Sequence, residues 1–265
     1  MSIAKPQLSV CLDDLRLETK AAIEAARRLG FRAIDVSAVR GPISPRELSA
    51  TGRRHLLKHL ADLGLRLGSL RGPTGPGSLA DPQSAEQRID ETTRILEMAA
   101  SVHVPAISMT SGQVTIADPA QMSRLREALT LLAERADHWG VTIGIESAGI
   151  PATDLARLLK ESDCPRLAAC CDSGAMLLQG DAPHQVIETL KGRLSLARIR
   201  DARSGSPDRP GHEVPLGEGD LNLPRFLAGL DEAGLTGDLI LSRSDSVRPA
   251  EDLQSAREKI EQYLM

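Results

Sequence analysis

RLAACCDSGAMLLQG, residues 166–180, is the stretch that decides the fold of this chain. It is an apolar run of strand length that carries Asp172 to its end and then breaks at Gly174. In parallel α/β proteins the loops beyond the carboxyl ends of the strands line the active site, so a carboxylate at such an end is a candidate for chemistry. We therefore expect the neighbouring strands to supply partners for Asp172.

Short β-like runs alternate with longer helical patterns along the whole sequence. Strands are predicted, besides the run ending at Asp172, at residues 8–12, 31–38, 65–70, 105–109, 141–146, 194–199 and 238–241. One of the intervening helices is predicted to begin at Ser44, because Ser44 and Glu47 have the spacing of a capping box. About eight βα units predict a single-domain (β/α)8 TIM barrel over residues 1–265, a typical barrel having about 250 residues. An open doubly wound sheet is disfavoured, since no GxGxxG motif follows the first strand.

Composition and charge restrict the classes of function. Hydrophobic residues make up 41% and charged residues 26% of the chain, as is usual for a globular protein. A formal net charge of −4 and only 2% aromatic residues argue against nucleic acid as a partner. The four cysteines have no CxxC spacing and indicate reduced core residues. With no signal-peptide pattern and no long apolar run, we expect a cytoplasmic protein without a membrane partner.

Two acidic residues are predicted to point into the centre of the barrel. Strand alternation places Gly144 and Glu146 on the inward face of their strand, and the same parity turns Cys170 and Asp172 inward on the next. Carboxylates are seldom fully buried without a partner, so two inward acids on neighbouring strands indicate a site. We predict Glu146 and Asp172 as the catalytic residues, although both would also suit a structural network with arginines.

Arginines fall at or near several other strand ends. The predicted substrate-binding residues are Arg71, Arg198, Asp201, His212 and Arg243. An arginine-lined mouth suits an anionic ligand such as a sugar phosphate or a sugar acid. The alternative of equal weight is that the arginines are rim charges paired with acids, the candidates being Asp13, Asp35, Asp201 and Asp245.

Several segments together resemble the xylose isomerase-like barrel superfamily, which includes sugar phosphate isomerases and epimerases and endonuclease IV. The segments are GFRAIDVS (30–37), LGLRLGSL (63–70), GVTIGIES (140–147), CCDSGAMLLQG (170–180) and, as the most specific match, VPLGEGDLNLPRFLAGL (214–230). The resemblance covers nearly the whole length. It implies proton transfer next to the carbonyl of a small keto-sugar, polyol or sugar acid, and it allows for a homo-oligomer.

The same resemblance implies a degenerate metal site. Ketose epimerases of that family typically hold one divalent ion with a Glu, an Asp, a His and a second Glu. The first two fall on Glu146 and Asp172, but the His falls on Arg198 and the second Glu on Ser242. A guanidinium has no lone pair for a metal and repels a cation. We expect at most a weakly bound Mg²⁺ or Mn²⁺ at Glu146 and Asp172, and more readily no metal, with arginine supplying the positive charge.

Three functions remain open from the sequence. The first is an isomerase or epimerase-like protein with Glu146 as the general base and Asp172 orienting the substrate. The second is a non-catalytic sugar-binding or scaffold barrel, a pseudoenzyme, since the fold does not determine the function. Endonuclease IV-like DNA repair is the third, and the acidic composition disfavours it.

Overall fold

The computed structural model describes residues 7–147, 149–206 and 208–264. Within them, eight parallel strands close into a barrel, which confirms the predicted (β/α)8 fold. The barrel strands are β1 (Leu8–Cys11), β2 (Ala33–Ser37), β3 (Arg66–Arg71), β4 (Ala106–Thr110), β5 (Thr142–Glu146), β6 (Leu167–Asp172), β7 (Leu194–Ile199) and β10 (Leu239–Leu241). The last strand, β10, lies between β7 and β1 and closes the barrel.

Amphipathic helices surround the barrel. They are α1 (Thr19–Arg28), α2 (Ala50–Asp62), α3 (Ala85–Ser101), α4 (Pro119–Trp139), α5 (Ala152–Glu161), α6 (Ser173–Gln179), α7 (Pro183–Thr189), α8 (Leu223–Glu232) and α9 (Pro249–Leu264). No helix in the described part of the chain is both long and apolar enough to cross a membrane.

The core has two layers that follow the alternation of the strands. Outward residues such as Ile143 and Ile145 join the large core between strands and helices. Inward residues form a smaller apolar cluster inside the barrel, which contains Cys11, Ala106, Cys170, Leu196 and Ile240. The inward direction predicted for Cys170 is therefore confirmed, and the charged residues further along the same strands point to the carboxyl end of the barrel, here called the mouth.

One local prediction was wrong. The helix expected from Ser44 begins at Ala50, because Ser49 is the capping residue and its Oγ accepts a hydrogen bond from the Gly52 amide at 3.2 Å. Ser44 begins only a short turn, in which the Leu48 amide donates a hydrogen bond to the Ser44 carbonyl oxygen at 2.9 Å. Ser49 caps the helix without a capping box, because Gly52 and not a Glu or Gln stands three residues after it, so the sequence pattern favoured Ser44. The strand break expected by Gly174 is present, since β6 ends at Asp172 and α6 begins at Ser173.

The long connection after β7 contains an antiparallel hairpin that the sequence did not indicate. Its strands are β8 (Asp201–Arg203) and β9 (His212–Val214), with Asp201 opposite Val214 and Arg203 opposite His212. This hairpin follows the end of β7 directly and brings side chains of β9 to the mouth.

Gly237 lies where β10 joins β7, and closure of the barrel depends on its lack of a side chain. The carbonyl of Asp238 accepts a hydrogen bond from the Ala197 amide at 3.3 Å, and a Cβ on Gly237 would lie 1.8 Å from the Ser195 carbonyl oxygen. Gly237→Ala should lower the free energy of unfolding by about 3 kcal/mol, since the backbone must move. The control is Gly75→Ala, whose Cβ would meet no described atom within 4 Å.

Urea denaturation measures both variants, and the control should stay within about 0.5 kcal/mol of the parent protein. Equal stability of the two variants would show that closure at β10 tolerates a side chain.

Candidate active site

Five barrel strands deliver charged side chains to the mouth. Asp35 on β2, Arg71 on β3, Glu146 on β5, Asp172 on β6 and Arg198 on β7 all occupy inward positions near the strand ends. Asp35, Glu146, Asp172 and Arg198 are buried. The structure therefore brings together Glu146, Asp172, Arg71 and Arg198 of the predicted site and adds Asp35, which sequence reasoning treated only as a rim acid.

Arg198 lies between the carboxylates of Asp35 and Asp172. Its Nη1 and Nη2 are 3.4 and 3.3 Å from Asp35 Oδ2, and its Nε is 3.7 Å from Asp172 Oδ2, too far for a hydrogen bond. Burial opposes the positive charge, but Asp35 above all, with Glu146 and Asp172, raises the pKa of the Arg198 guanidinium. Arg198 is therefore a permanent cation at the centre of the mouth.

Both carboxylate oxygens of Asp172 accept hydrogen bonds from neighbouring residues. Arg200 binds it in a bidentate manner, with Nε 3.0 Å from Oδ1 and Nη2 2.9 Å from Oδ2, and the Ala175 amide donates to Oδ1 at 3.0 Å as the cap of α6. Burial alone would raise the pKa of Asp172, but Arg200 and then Arg198 outweigh it and lower the pKa. Such a carboxylate anchors its neighbours and is poorly suited to accept a proton.

Glu213 on β9 joins two further arginines at the rim. Its Oε2 lies 3.0 Å from Arg200 Nη1 and its Oε1 lies 3.0 Å from Arg243 Nη1, while Ser244 Oγ donates to Oε2 at 2.8 Å. Arg243 also contacts Asp252 at 3.1 Å through Nε. Sequence reasoning missed Glu213, whose only signal is the alternation of the short HEV segment beside the exposed His212.

These contacts form an unbroken series of alternating charges, which we call the charge chain. Its members, in order of contact, are Asp13, Arg71, Asp35, Arg198, Asp172, Arg200, Glu213, Arg243 and Asp252. Every arginine of the charge chain touches two carboxylates. A strongly anionic ligand would have to compete with these acids for each guanidinium.

Glu146 stands beside the charge chain without belonging to it. Its side chain is buried, and no hydrogen bond or ion pair joins its carboxylate to another described residue. Burial raises the pKa of Glu146, and the nearby positive charge of Arg198 offsets only part of that rise. A carboxylate whose pKa is raised by burial is better suited to accept a proton than one whose pKa is lowered by arginines.

The other predicted residues have different surroundings. Arg71 donates to Asp13 and, at 3.2 Å, to Cys11 Sγ, and burial raises the pKa of the Cys11 thiol to about 11, so this group stays protonated. His212 is exposed on β9. Ser242 donates through Oγ to Asp14 at 2.6 Å.

Asp201 holds the glycine-rich loop after the hairpin. Its carboxylate accepts hydrogen bonds from the amides of Gly217, Gly219 and Leu221 at 2.8, 3.0 and 3.0 Å. A Cβ on Gly219 would lie only 2.2 Å from Asp201 Oδ1, which explains the glycine. The segment VPLGEGDLNLPRFLAGL, the most specific match in the sequence, is thus held in its loop conformation by Asp201, a buried carboxylate outside the charge chain.

The residues of the mouth do not fit the divalent ion that the resemblance implies. The described residues contain no group of three or more His, Cys, Asp or Glu side chains placed to hold a metal. Asp35 and Asp172 face a guanidinium, and Ser242 is bound to Asp14. A metal ion between these acids would meet the positive charge of Arg198 at close range.

Comparison with known proteins agrees with the fold. The sequence profile described as "Xylose isomerase-like TIM barrel" matches residues 23–263. No curated protein matches the chain.

Three solved structures illustrate the likeness. A xylose isomerase domain protein from Planctomyces limnophilus is 21% identical, over 98% of this chain and 97% of its own, with a TM-score of 0.81. D-psicose 3-epimerase from Clostridium cellulolyticum H10, solved with D-tagatose, is 17% identical over 97% and 99%, with a TM-score of 0.75. A xylose isomerase-like TIM barrel protein from Mycobacterium smegmatis, solved in complex with magnesium, is 18% identical over 98% and 96%, with a TM-score of 0.78. At these identities the likeness shows a shared fold.

The raised pKa of Glu146 predicts a pH dependence of stability. Between the ordinary glutamate pKa and the raised one, the native state holds a proton that the unfolded chain has lost, so the free energy of unfolding falls as the pH rises. Glu146→Gln removes the unfavourable buried negative charge. The variant should have a higher Tm than the parent at pH 7.5, with a smaller difference at pH 4.5.

Thermal unfolding across this pH range tests the prediction, with Glu134→Gln on the exposed face of α4 as the control. A difference that is the same at both pH values would contradict it.

Asp201→Asn should destabilise the protein by about 2 kcal/mol. The asparagine side chain would turn an NH₂ group, or only one accepting oxygen, toward backbone amides that now donate hydrogen bonds to both carboxylate oxygens. The matched control is Asp208→Asn, which changes an exposed residue of the same connection. Urea denaturation measures both, and an unchanged free energy of unfolding for Asp201→Asn would show that the loop does not depend on this carboxylate.

Proposed function

The chain belongs to the xylose isomerase-like TIM barrel family, and from this premise we propose that it is an isomerase or epimerase-like protein acting on a small keto-sugar, polyol or sugar acid. The reaction is proton transfer next to a carbonyl. The observation that carries the proposal is the buried Glu146 carboxylate, which lies outside the charge chain and beside a permanent cation. The sugar epimerase among the similar structures supports the substrate class.

The proposed reaction begins when Glu146 accepts the proton from the carbon next to the substrate carbonyl. The electron pair of that C–H bond forms a C=C bond, and the carbonyl electron pair moves onto oxygen. Arg198 donates hydrogen bonds to the oxyanion and balances its charge. Glu146 then returns the proton to carbon, and the carbonyl forms again. Asp172 takes no proton in this scheme, because Arg200 and the Ala175 amide occupy it.

A single base favours isomerisation over epimerisation. Return of the proton to the adjacent carbon, with passage of the hydroxyl proton between the two oxygens, completes an isomerisation on one face of the substrate. Inversion at one carbon requires a second base on the opposite face. The Ser242 position, where the resemblance implies a second Glu, offers a hydroxyl bound to Asp14 instead.

The charge chain also bears on the substrate. Each of its arginines already contacts two carboxylates, so the positive charge that would attract a phosphate is largely balanced. We therefore place unphosphorylated sugars ahead of sugar phosphates as substrates.

A non-catalytic sugar-binding barrel is the second candidate. The observation that favours it is that Asp35, Asp172 and Glu213 are each paired with arginines and are therefore poorly suited to exchange protons. Such a protein would bind the same sugars and exchange no proton with them. DNA repair of the endonuclease IV kind stays disfavoured, because the formal net charge is −4.

Deuterium exchange tests the primary proposal. The protein is incubated in D₂O with a panel of ketoses, aldoses, sugar acids and their phosphates, and ¹H NMR follows the carbon next to the carbonyl. We expect one deuterium per product molecule with an unphosphorylated sugar, and Glu146→Gln should slow the exchange at least about 100-fold.

The control Glu134→Gln should exchange at the parental rate. Exchange that survives in Glu146→Gln would remove Glu146 as the base. Stabilisation by a sugar without exchange would favour the second candidate.

A further inference from the structure

We propose that Arg198 is the resident cation of the mouth, which replaces a divalent metal and prevents one from binding. The inference deepens the proposed function, since it names the group that balances the substrate oxyanion. It depends on three observations: the position of the guanidinium, its unused hydrogen-bond donors and the acids around it.

The position of the guanidinium excludes a second cation. Asp35 and Asp172 approach it from opposite strands, β2 and β6, and Glu146 contributes to its raised pKa. Asp35 and Asp172 thus hold between them one positive charge that cannot be removed by deprotonation. A divalent ion among them would lose its nearest carboxylates to Arg198 and would be repelled by it. The acids themselves, without the guanidinium, are oxygen ligands of the kind that Mg²⁺ and Mn²⁺ accept.

The guanidinium retains donors for a substrate. It carries five N–H groups, yet its hydrogen bonds to described residues are two long contacts with the same oxygen, Asp35 Oδ2. Its Nε is 3.7 Å from Asp172. The planar fork of arginine suits two neighbouring oxygens, such as the carbonyl and hydroxyl oxygens of an α-hydroxycarbonyl group. Asp35, fixed by Ser69 Oγ at 2.6 Å, is the positioning residue that holds this fork.

Arg198→His tests the inference directly. The substitution removes the guanidinium charge from the centre of the mouth and places an imidazole beside the Asp35 carboxylate, while Asp172 stays bound to Arg200. We expect the Tm of the variant to rise by several degrees with millimolar Mn²⁺, and isothermal titration calorimetry to give one site per chain. The parent protein and the exposed-helix control Arg225→His should show neither change.

Arg198→Lys covers the case in which Arg198→His does not fold. Lysine keeps the positive charge, so this variant should fold and remain insensitive to Mn²⁺. Elemental analysis of the parent protein after expression with added Mn²⁺ completes the test, and less than about 0.1 ion per chain is expected if a fixed charge excludes the metal. One tightly bound ion per parent chain, a Mn²⁺ response in Arg198→Lys, or a folded Arg198→His variant that ignores Mn²⁺ would each overturn the inference.

These measurements involve no turnover. A protein that exchanges no proton with any sugar can still pass them, and a protein that binds Mn²⁺ through its wild-type mouth can still use Glu146 as a base. Failure of the resident-cation proposal is therefore distinguishable from failure of the proposed function.

Discussion

The contact between Arg198 and Asp35 is the interaction on which the mouth depends. It joins β7 to β2 across the barrel, although β10 and β1 lie between these strands in the sheet. Both side chains are buried, so the pair has paid a large desolvation penalty, and removal of either partner would leave an uncompensated buried charge. The same pair fixes Arg198 beside Glu146 and Asp172, so a structural contact sets the electrostatics of the candidate active site.

The charge chain continues the alternation of acids and arginines around the mouth. Arg200 neutralises Asp172, Glu213 bridges Arg200 and Arg243, and Asp252 of α9 ends the series. Glu146 lies outside the charge chain, and burial raises its pKa, whereas Arg200 and Arg198 lower the pKa of Asp172. Both carboxylates are buried on adjacent strands, and the pairing of Asp172 with Arg200 is what separates their pKa values. Such a separation of pKa values is how a site divides the roles of base and anchor.

Part of the site was accessible from the sequence because strand alternation has a period of two. It placed Glu146, Cys170 and Asp172 inward, and Cys170 lies in the apolar cluster inside the barrel. Asp35 obeys the same parity on β2 but was not recognised as a member of the site, because a lone acid in FRAIDVSA shows no partner. Glu213 was missed because its strand exists only as half of a hairpin, which pairs residues outside any short sequence window, such as Ala202 with Glu213. The start of α2 was misplaced because the capping-box spacing is present at Ser44 and absent at Ser49, the residue that caps the helix.

By itself the sequence determined the barrel, its closure by eight strands and the inward direction of the main acids, since these follow from local periodicity and from the number of βα units. Only the tertiary structure decided which acid meets which arginine. Pairing depends on distances between side chains from different strands, and no local pattern encodes them. For the same reason the tertiary structure alone distinguishes Asp201, which holds a loop, from Glu146, which stands beside the cation of the mouth.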